Sequence, residues 1–271
     1  MTTNVRSVGN VKGSLSETWL SVRFELLKHL KRRRLYIVAG LAIVIPLFFY
    51  IYFYKEHPTD PSVFAATSLT FMNVMIVISA AMFAGDAICG EFEKKTSLLL
   101  FPTPQKRSSI FAGKYIAALM GTFLVVSLYY LVLTLQTGQL FSWGDIPGAL
   151  GKSFATALIY STAAVSVVFF VSSLLKRSMS ATIVGFLVLL MILPIIQMLI
   201  TLLNHEPWFI LTYSGGLITD VLGVTSIFAG DTHADAMRQF TPTFGIGIAV
   251  MVTYAIVCLA AAIAVAVRKE D

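Results

Sequence analysis

Six apolar stretches without a run of charges, each long enough to cross a bilayer, decide what this chain can fold into. They run Leu35–Tyr54, Val63–Ala87, Phe111–Leu135, Leu150–Leu175, Met179–Leu203 and Thr243–Val267. A helix rising about 1.5 Å per residue needs about 20 residues to cross a hydrocarbon core roughly 30 Å thick. Hydrocarbon offers the backbone no hydrogen-bond partner, so each stretch has to close its bonds internally as a helix. Composition agrees: 57% of the chain is hydrophobic and 13% charged, against roughly 45–50% and 25% for soluble domains. The expected fold is an all-α membrane protein. A cytoplasmic N-terminal segment, residues 1–34, precedes one six-helix transmembrane domain, residues 35–271.

The net charge of +6 points to topology rather than to nucleic acid, because the basic residues cluster beside the spans. With the N-terminus placed in the cytoplasm, only Lys55, Lys152 and Arg238 of the 20 lysines and arginines fall outside. Such asymmetry sets both termini in the cytoplasm of a cell-membrane protein. The long polar start lacks the short basic-then-apolar layout of a cleaved secretory signal. Cys89 and Cys258 form no close-spaced pattern and read as free thiols. Trp208–Val224 is apolar but short, and it carries Gly215, Gly216 and Asp220. A crossing there would put Arg268 and Lys269 outside. Residues 204–242 are therefore expected to be external, with short re-entrant helices that dip into the bilayer without crossing it.

Ahead of the first span, residues 16–30 have the pattern of an amphipathic helix. Trp19, Leu20, Leu26, Leu27 and Leu30 share one face, with Glu17, Ser21, Glu25 and Lys28 opposite. Ser14 and Glu17 have capping-box spacing. Such a helix suits the inner leaflet, with Lys31, Arg32, Arg33 and Arg34 set to grip anionic headgroups of membrane lipid. A soluble helix packed on a partner is the plainer reading.

The loop between the second and third spans, residues 88–110, carries the most information. After Asp86 come Gly90, Glu91, Phe92, Glu93, Lys94, Lys95 and Thr96, then the apolar run Leu98–Phe101. Pro102 and Pro104 break the chain, and Lys106, Arg107 and Lys114 lead into the next helix. Charged toward the cytosol and apolar toward lipid, a short helix here could take a push from a soluble partner and pass it to two spans.

The order D-x-x-x-G-E-x-E-x-x-T-x-x-x-L, then P-x-x-x-x-R, then a lysine heading the next span resembles the permeases of type-2 ABC exporters. These are also called type V exporters, and the G-subfamily exporters share their fold. The likeness covers nearly the whole chain, from the interfacial helix to the long external segment before the sixth span. It implies a permease that dimerises with an identical or closely related copy. Its ATPase is a separate cytosolic subunit, so ATP and Mg would be bound there and no cofactor in this chain. By the same resemblance, Gly90, Glu91, Phe92, Glu93, Lys94 and Thr96 belong to the coupling helix that docks in a groove of that ATPase. Arg107 and Lys114 anchor the return into the third span. Lys176 and Arg177, in the inner loop before the fifth span, would form a second, smaller contact; alone they read equally as a topogenic basic pair. Lys95 stands where the family often has glycine.

Other chemistry finds little footing. Gly151-Lys152-Ser153 lacks the glycine five positions earlier, where Ile146 stands, and it opens a span rather than following a strand. The histidines His29, His57, His205 and His233 show no metal-ligand spacing, and no GxSxG occurs. No catalytic residue and no metal site is expected. A proton- or sodium-coupled carrier usually keeps an ionisable residue near the midplane, and these spans hold almost none. Asn73 in the second span and Gln197 in the fifth, beside a helix-bending Pro194, are the polar features of the interior. They read either as helix–helix hydrogen bonds or as part of a substrate path between two copies. The expected function is ATP-driven export of an amphipathic or lipid-like substrate. A non-transporting anchor or sensor that docks a cytosolic partner, and a secondary carrier, are the alternatives.

Overall fold

The computed structural model describes residue 19 and residues 21–56, 60–93, 107–224 and 243–268. Every regular element among them is helical. We number them α1 (residues 21–31), α2 (Arg33–Glu56), α3 (Pro61–Leu69), α4 (Met72–Ala84), α5 (Cys89–Glu93), α6 (Arg107–Leu140) and α7 (Ala149–Leu174). There follow α8 (Ser178–Leu187), α9 (Leu193–Leu202), α10 (Leu211–Gly215), α11 (Leu217–Asp220) and α12 (Phe244–Arg268). Six are long and apolar enough to span a membrane: α2, α3 with α4, α6, α7, α8 with α9, and α12. These are the six expected spans, with small shifts at the ends.

Span 4 (α7) is the hub, and span 6 (α12) packs against it more extensively than any other pair. Span 4 carries many small buried side chains: Ala157, Ala163, Ala164, Ser161 and Ser166 are fully buried. In lipid, where no hydrophobic force drives helices together, close backbone approach supplies the packing energy. Hydroxyls inside the spans discharge their bonding capacity locally. Ser161 donates to the Ala157 carbonyl at 2.6 Å, Thr137 to Leu133 at 2.9 Å and Thr122 to Ala118 at 3.1 Å, the backward bond that hides a hydroxyl on its own helix.

Two spans depart from simple rods. Val63–Ala87 was expected as one helix; the structure starts it at Pro61, interrupts it at Thr70–Phe71 and ends the helix at Ala84. At the interruption the Tyr129 hydroxyl of span 3 donates to the Ser68 carbonyl at 2.6 Å, a side-chain partner for backbone at membrane depth. Span 5 contains a π-helical turn, Val188–Ile192, directly before Pro194. Proline lacks an N–H and its ring collides with the carbonyl four residues back. Widening the helix by one residue just before it is a recurrent way to absorb both defects.

We call the span ends beside α1 inner and the opposite ends outer; the short helices α10 and α11 fold back among the outer ends of the bundle. Leu211, Ser214 and Ile218 are fully buried. The Asn73 side-chain amide donates to the Gly215 carbonyl at 3.3 Å. Asn73 lies 12 residues along span 2 from Pro61, about 18 Å at the α-helical rise. Short helices pack among the span ends in the described part of the segment expected to be external; its residues 225–242 lie outside the described residues.

On the inner side, spans 2 and 5 meet at Gly85. A Cβ there would stand 2.6 Å from the Thr182 hydroxyl and 2.8 Å from its Cα. Backbone cannot swing aside as a side-chain tip can, so Gly85→Ala should cost about 1–3 kcal/mol as overpacking. Gly40, with nothing within 4 Å, is the control. Thermal unfolding in detergent is expected to show a clearly lower midpoint for Gly85→Ala and no loss for Gly40→Ala.

Candidate functional site

The inner ends of the helices gather almost every described charge with a structural role. Helix α1 lies across them and turns into α2 at Arg32, whose N–H bonds the His29 carbonyl at 3.1 Å. Its buried residues are Val22 and His29, while Trp19, Phe24, Leu27 and Leu30 are exposed. The amphipathic pattern is therefore inverted relative to a soluble helix: the side bearing Glu25 packs on the bundle, and the apolar side faces outward. That orientation fits a helix resting on lipid.

Glu25 explains the inversion. Its carboxylate accepts from Lys114 of span 3 at 2.5 Å and lies 3.1 Å from Lys28. Lys114 is only 4% exposed, too buried to stay charged without a partner. Burial pushes the Glu25 carboxyl up, but Lys114 and then Lys28 outweigh it, and the net shift is below the ordinary glutamate value. Beside it, His29 meets the ring of Phe83 edge-on, centroids 5.5 Å apart. Burial lowers its pKa, against the pull of Asp86 and Glu25.

A second clamp holds the elbow. Arg32 and Arg34 both reach Oδ2 of Asp86, at 2.5 and 3.3 Å. The tetrad Lys31–Arg34, assigned from sequence to membrane headgroups, thus also has a protein partner at the end of span 2. That acidic residue opens the D-x-x-x-G-E motif.

The segment expected from the sequence to couple to an ATPase is held just beyond. Glu93 is exposed, yet its Oε2 accepts the Ser178 N–H at 2.7 Å. Ser178 is the first residue of span 5, and no side chain of its N-cap, Arg177, closes that end. Glu93 therefore caps the span from across the loop, a carboxylate at a helix N-terminus where the dipole favours it. One turn earlier, Ser172 of span 4 accepts the backbone N–H groups of Ile88 and Cys89 at 3.2 and 3.3 Å. The Cys89 thiol, raised in pKa by burial, donates to the Gly85 carbonyl at 3.2 Å. Gly90 closes onto the Asp86 carbonyl at 3.1 Å. Lys176 and Arg177 stand exposed in the same inner loop. The structure thus brings together Gly90, Glu93, Lys176 and Arg177. Lys94 and Thr96 lie outside the described residues, as do the side chains of Glu91 and Phe92.

The polar pair of the interior lies elsewhere. Gln197 accepts from the Thr212 hydroxyl at 2.9 Å, and Asn73 bonds Gly215, so both tie spans to α10. Pro194 sits past the π turn on the largely exposed span 5. The helix–helix reading of Asn73 and Gln197 has its partners here; the Asn73 Oδ1 stays buried with none.

The profile of the ABC-2 family transporter protein matches residues 21–193, from α1 through the coupling segment to Leu193 in span 5. The chain belongs to the ABC-2 transporter family. It is also similar to the uncharacterized membrane protein YdbK of Bacillus subtilis (strain 168). The two are 29% identical over 188 residues, 66% of this chain and 72% of that one. The charged loop stands out in the sequence, but its fixings do not: Ser172 and Ser178 carry no motif. Glu25 and Lys114, 89 positions apart, give no local sign of pairing.

A carboxyl with a depressed folded pKa contributes stability above its unfolded value and loses it as pH falls through the folded one. Glu25→Gln should therefore lower stability at pH 7 by about 3 kcal/mol, as when one partner of a buried pair is removed. The gap to the unaltered protein should close as pH falls below the ordinary glutamate value of 4.5. Thermal unfolding in detergent across pH checks this, and Lys114→Met added to Glu25→Gln should recover much of the loss.

Proposed function

We propose that this chain is the permease subunit of an ATP-driven exporter, powered by a separate ATP-binding subunit that docks on α5 and the inner loop at Lys176–Arg177. The observation that carries the reading is the bond from Ser178 N–H to Glu93. It joins the segment the ABC-2 family likeness assigns to coupling with the start of span 5. The exposed basic loop and the acidic segment then form one cytosolic face instead of two.

On this reading, closure of the paired ATPase subunits pushes α5. The push reaches span 2 through the turn at Asp86–Ile88, span 4 through Ser172 and span 5 through Glu93. Spans 2, 4 and 5 tilt as a group against span 3, and a cavity between two permease copies changes access. ATP and Mg belong to the partner subunit, and both termini of the permease lie in the cytoplasm. A substrate with a large apolar part suits the path. Span 5 turns Met191, Ile195, Ile196 and Leu199 outward, and such a surface solvates hydrocarbon better than a polar solute. The buried members of the Asp, Glu, His, Lys and Arg side chains among the described residues, His29 and Lys114, both lie at the inner end. That placement favours an ATP-driven device over a carrier relaying protons through the midplane.

Co-expression with neighbouring genes, purification and an ATPase assay test the reading. An ATP-binding subunit should co-purify in equal amounts with hydrolytic activity. Reversing both charges, Glu91→Lys with Glu93→Lys, should cut its recovery about tenfold or more, the loss of one or two charge-assisted contacts. A chain that purifies alone, or recovery unchanged by the reversal, overturns the proposal.

A further inference from the structure

At the inner end of the bundle, the turn at Arg32, the start of α2, the end of span 2, α5 and the start of span 5 line an open cavity of about 840 Å³. Its lining includes Arg32, Arg33, Arg34, Asp86, Glu93 and Ser178. The size falls within the range of small-molecule sites, about 300–1,000 Å³. We infer that this cavity is a binding site for the phosphate headgroup of one anionic phospholipid of the inner leaflet.

Charge argues for an anion. Three guanidinium groups face two carboxylates, and both carboxylates are engaged. Asp86 Oδ2 takes Arg32 and Arg34 together, and Glu93 Oε2 takes the Ser178 N–H. Arg33 has no carboxylate partner among the described residues, and its side chain is exposed. One positive charge is thus left over, on a planar fork suited to bidentate binding of phosphate. Arg32 and Arg34 each use Nη1 on Asp86, which leaves their other N–H groups to add contacts. A headgroup bearing its own ammonium would bring a cation into a site that already holds one positive charge in excess.

Position argues for a lipid rather than a free anion. Arg33 is the first residue of span 1, so the cavity sits at the boundary of the hydrocarbon, where headgroup phosphates lie. Immediately toward the membrane core, two exposed apolar tracks begin. Ile37, one turn beyond Arg33, leads to Leu41 and Val44 on span 1. Met179, which also lines the cavity, leads to Ile183 and Leu187 on span 5; all six are exposed. A phosphate on Arg33 would place its acyl chains along these tracks, so head and tails are satisfied at once. Basic pockets between helices at the cytoplasmic face are a physical type of site for anionic lipid.

The site does not depend on the exporter reading, because it needs only the membrane-embedded chain. The full-length protein, stripped of lipid in non-ionic detergent, is titrated separately with dioleoylphosphatidylglycerol, dioleoylphosphatidylcholine and sodium phosphate. Native mass spectrometry counts bound lipid, and thermal unfolding reports stabilisation. Phosphatidylglycerol should bind saturably at one molecule per chain and raise the midpoint, while phosphatidylcholine and sodium phosphate should do neither. Arg33→Gln should weaken the saturable binding about tenfold, and Arg33→Lys should retain part of it. Lys55→Gln, the same charge change at the outer end of span 1, should leave it intact. Equal binding by Arg33→Gln, or equal binding of phosphatidylcholine, overturns the site. Stabilisation by sodium phosphate equal to that by phosphatidylglycerol overturns the lipid as its occupant.

Discussion

Hydrocarbon neither donates nor accepts a hydrogen bond, and that constraint sets nearly every feature of this chain. It forces the six spans to be helices and turns their serines and threonines back onto their own carbonyls. It also makes a break such as Thr70–Phe71 tolerable only where a neighbour such as Tyr129 reaches in. The same constraint exports charge. A carboxylate or ammonium that cannot sit in the spans collects at their ends, so the rims of the bundle become the places where charged, directional interactions are built, the inner rim above all. Fold and candidate site are consequences of a single solvent.

Much of this was legible in the sequence because it depends on local counts. Span length, the asymmetry of Lys and Arg, and a charged loop between two apolar stretches are each readable within a window of about thirty residues. What was not legible depends on distance in sequence. Glu25 reads as the polar side of a surface helix, and only the packed structure shows that side turned inward to Lys114. Asp86 reads as the head of a motif, yet its oxygen holds two arginines of the elbow. Pro194 announced a disturbance in span 5. The π turn just before it was beyond reach, since a helix can answer a proline by bending or by widening.

The two ion clusters divide the work of holding α1. Glu25 with Lys114 joins its middle to span 3, and the Arg32–Asp86–Arg34 group joins its end to span 2. Each cluster lies partly shielded, where the effective dielectric is well below that of water and attraction is stronger than for exposed pairs. An interfacial helix held only by its apolar face would slide freely on lipid. Fixed at two points to two different spans, it must follow them when they move relative to one another.

That geometry bears on how a push at the cytosolic face would be shared. The segment 85–93 touches span 5 at Gly85 and Glu93 and span 4 at Ser172, and it carries the carboxylate that restrains α1. A load on α5 would therefore act on four elements through short, stiff links, with none of the slack a long loop would introduce. Span 3 packs directly on spans 2 and 4, and α1 adds a polar tie to it by way of Lys114. The elbow helix is then a spring in parallel with that packing: its ion pairs resist separation of spans 2 and 3, and they break only if the applied work exceeds their strength. A headgroup seated on Arg33 would take the N–H groups of Arg32 and Arg34 that Asp86 leaves free. It would thereby stiffen that spring without touching the contacts of segment 85–93 to spans 4 and 5.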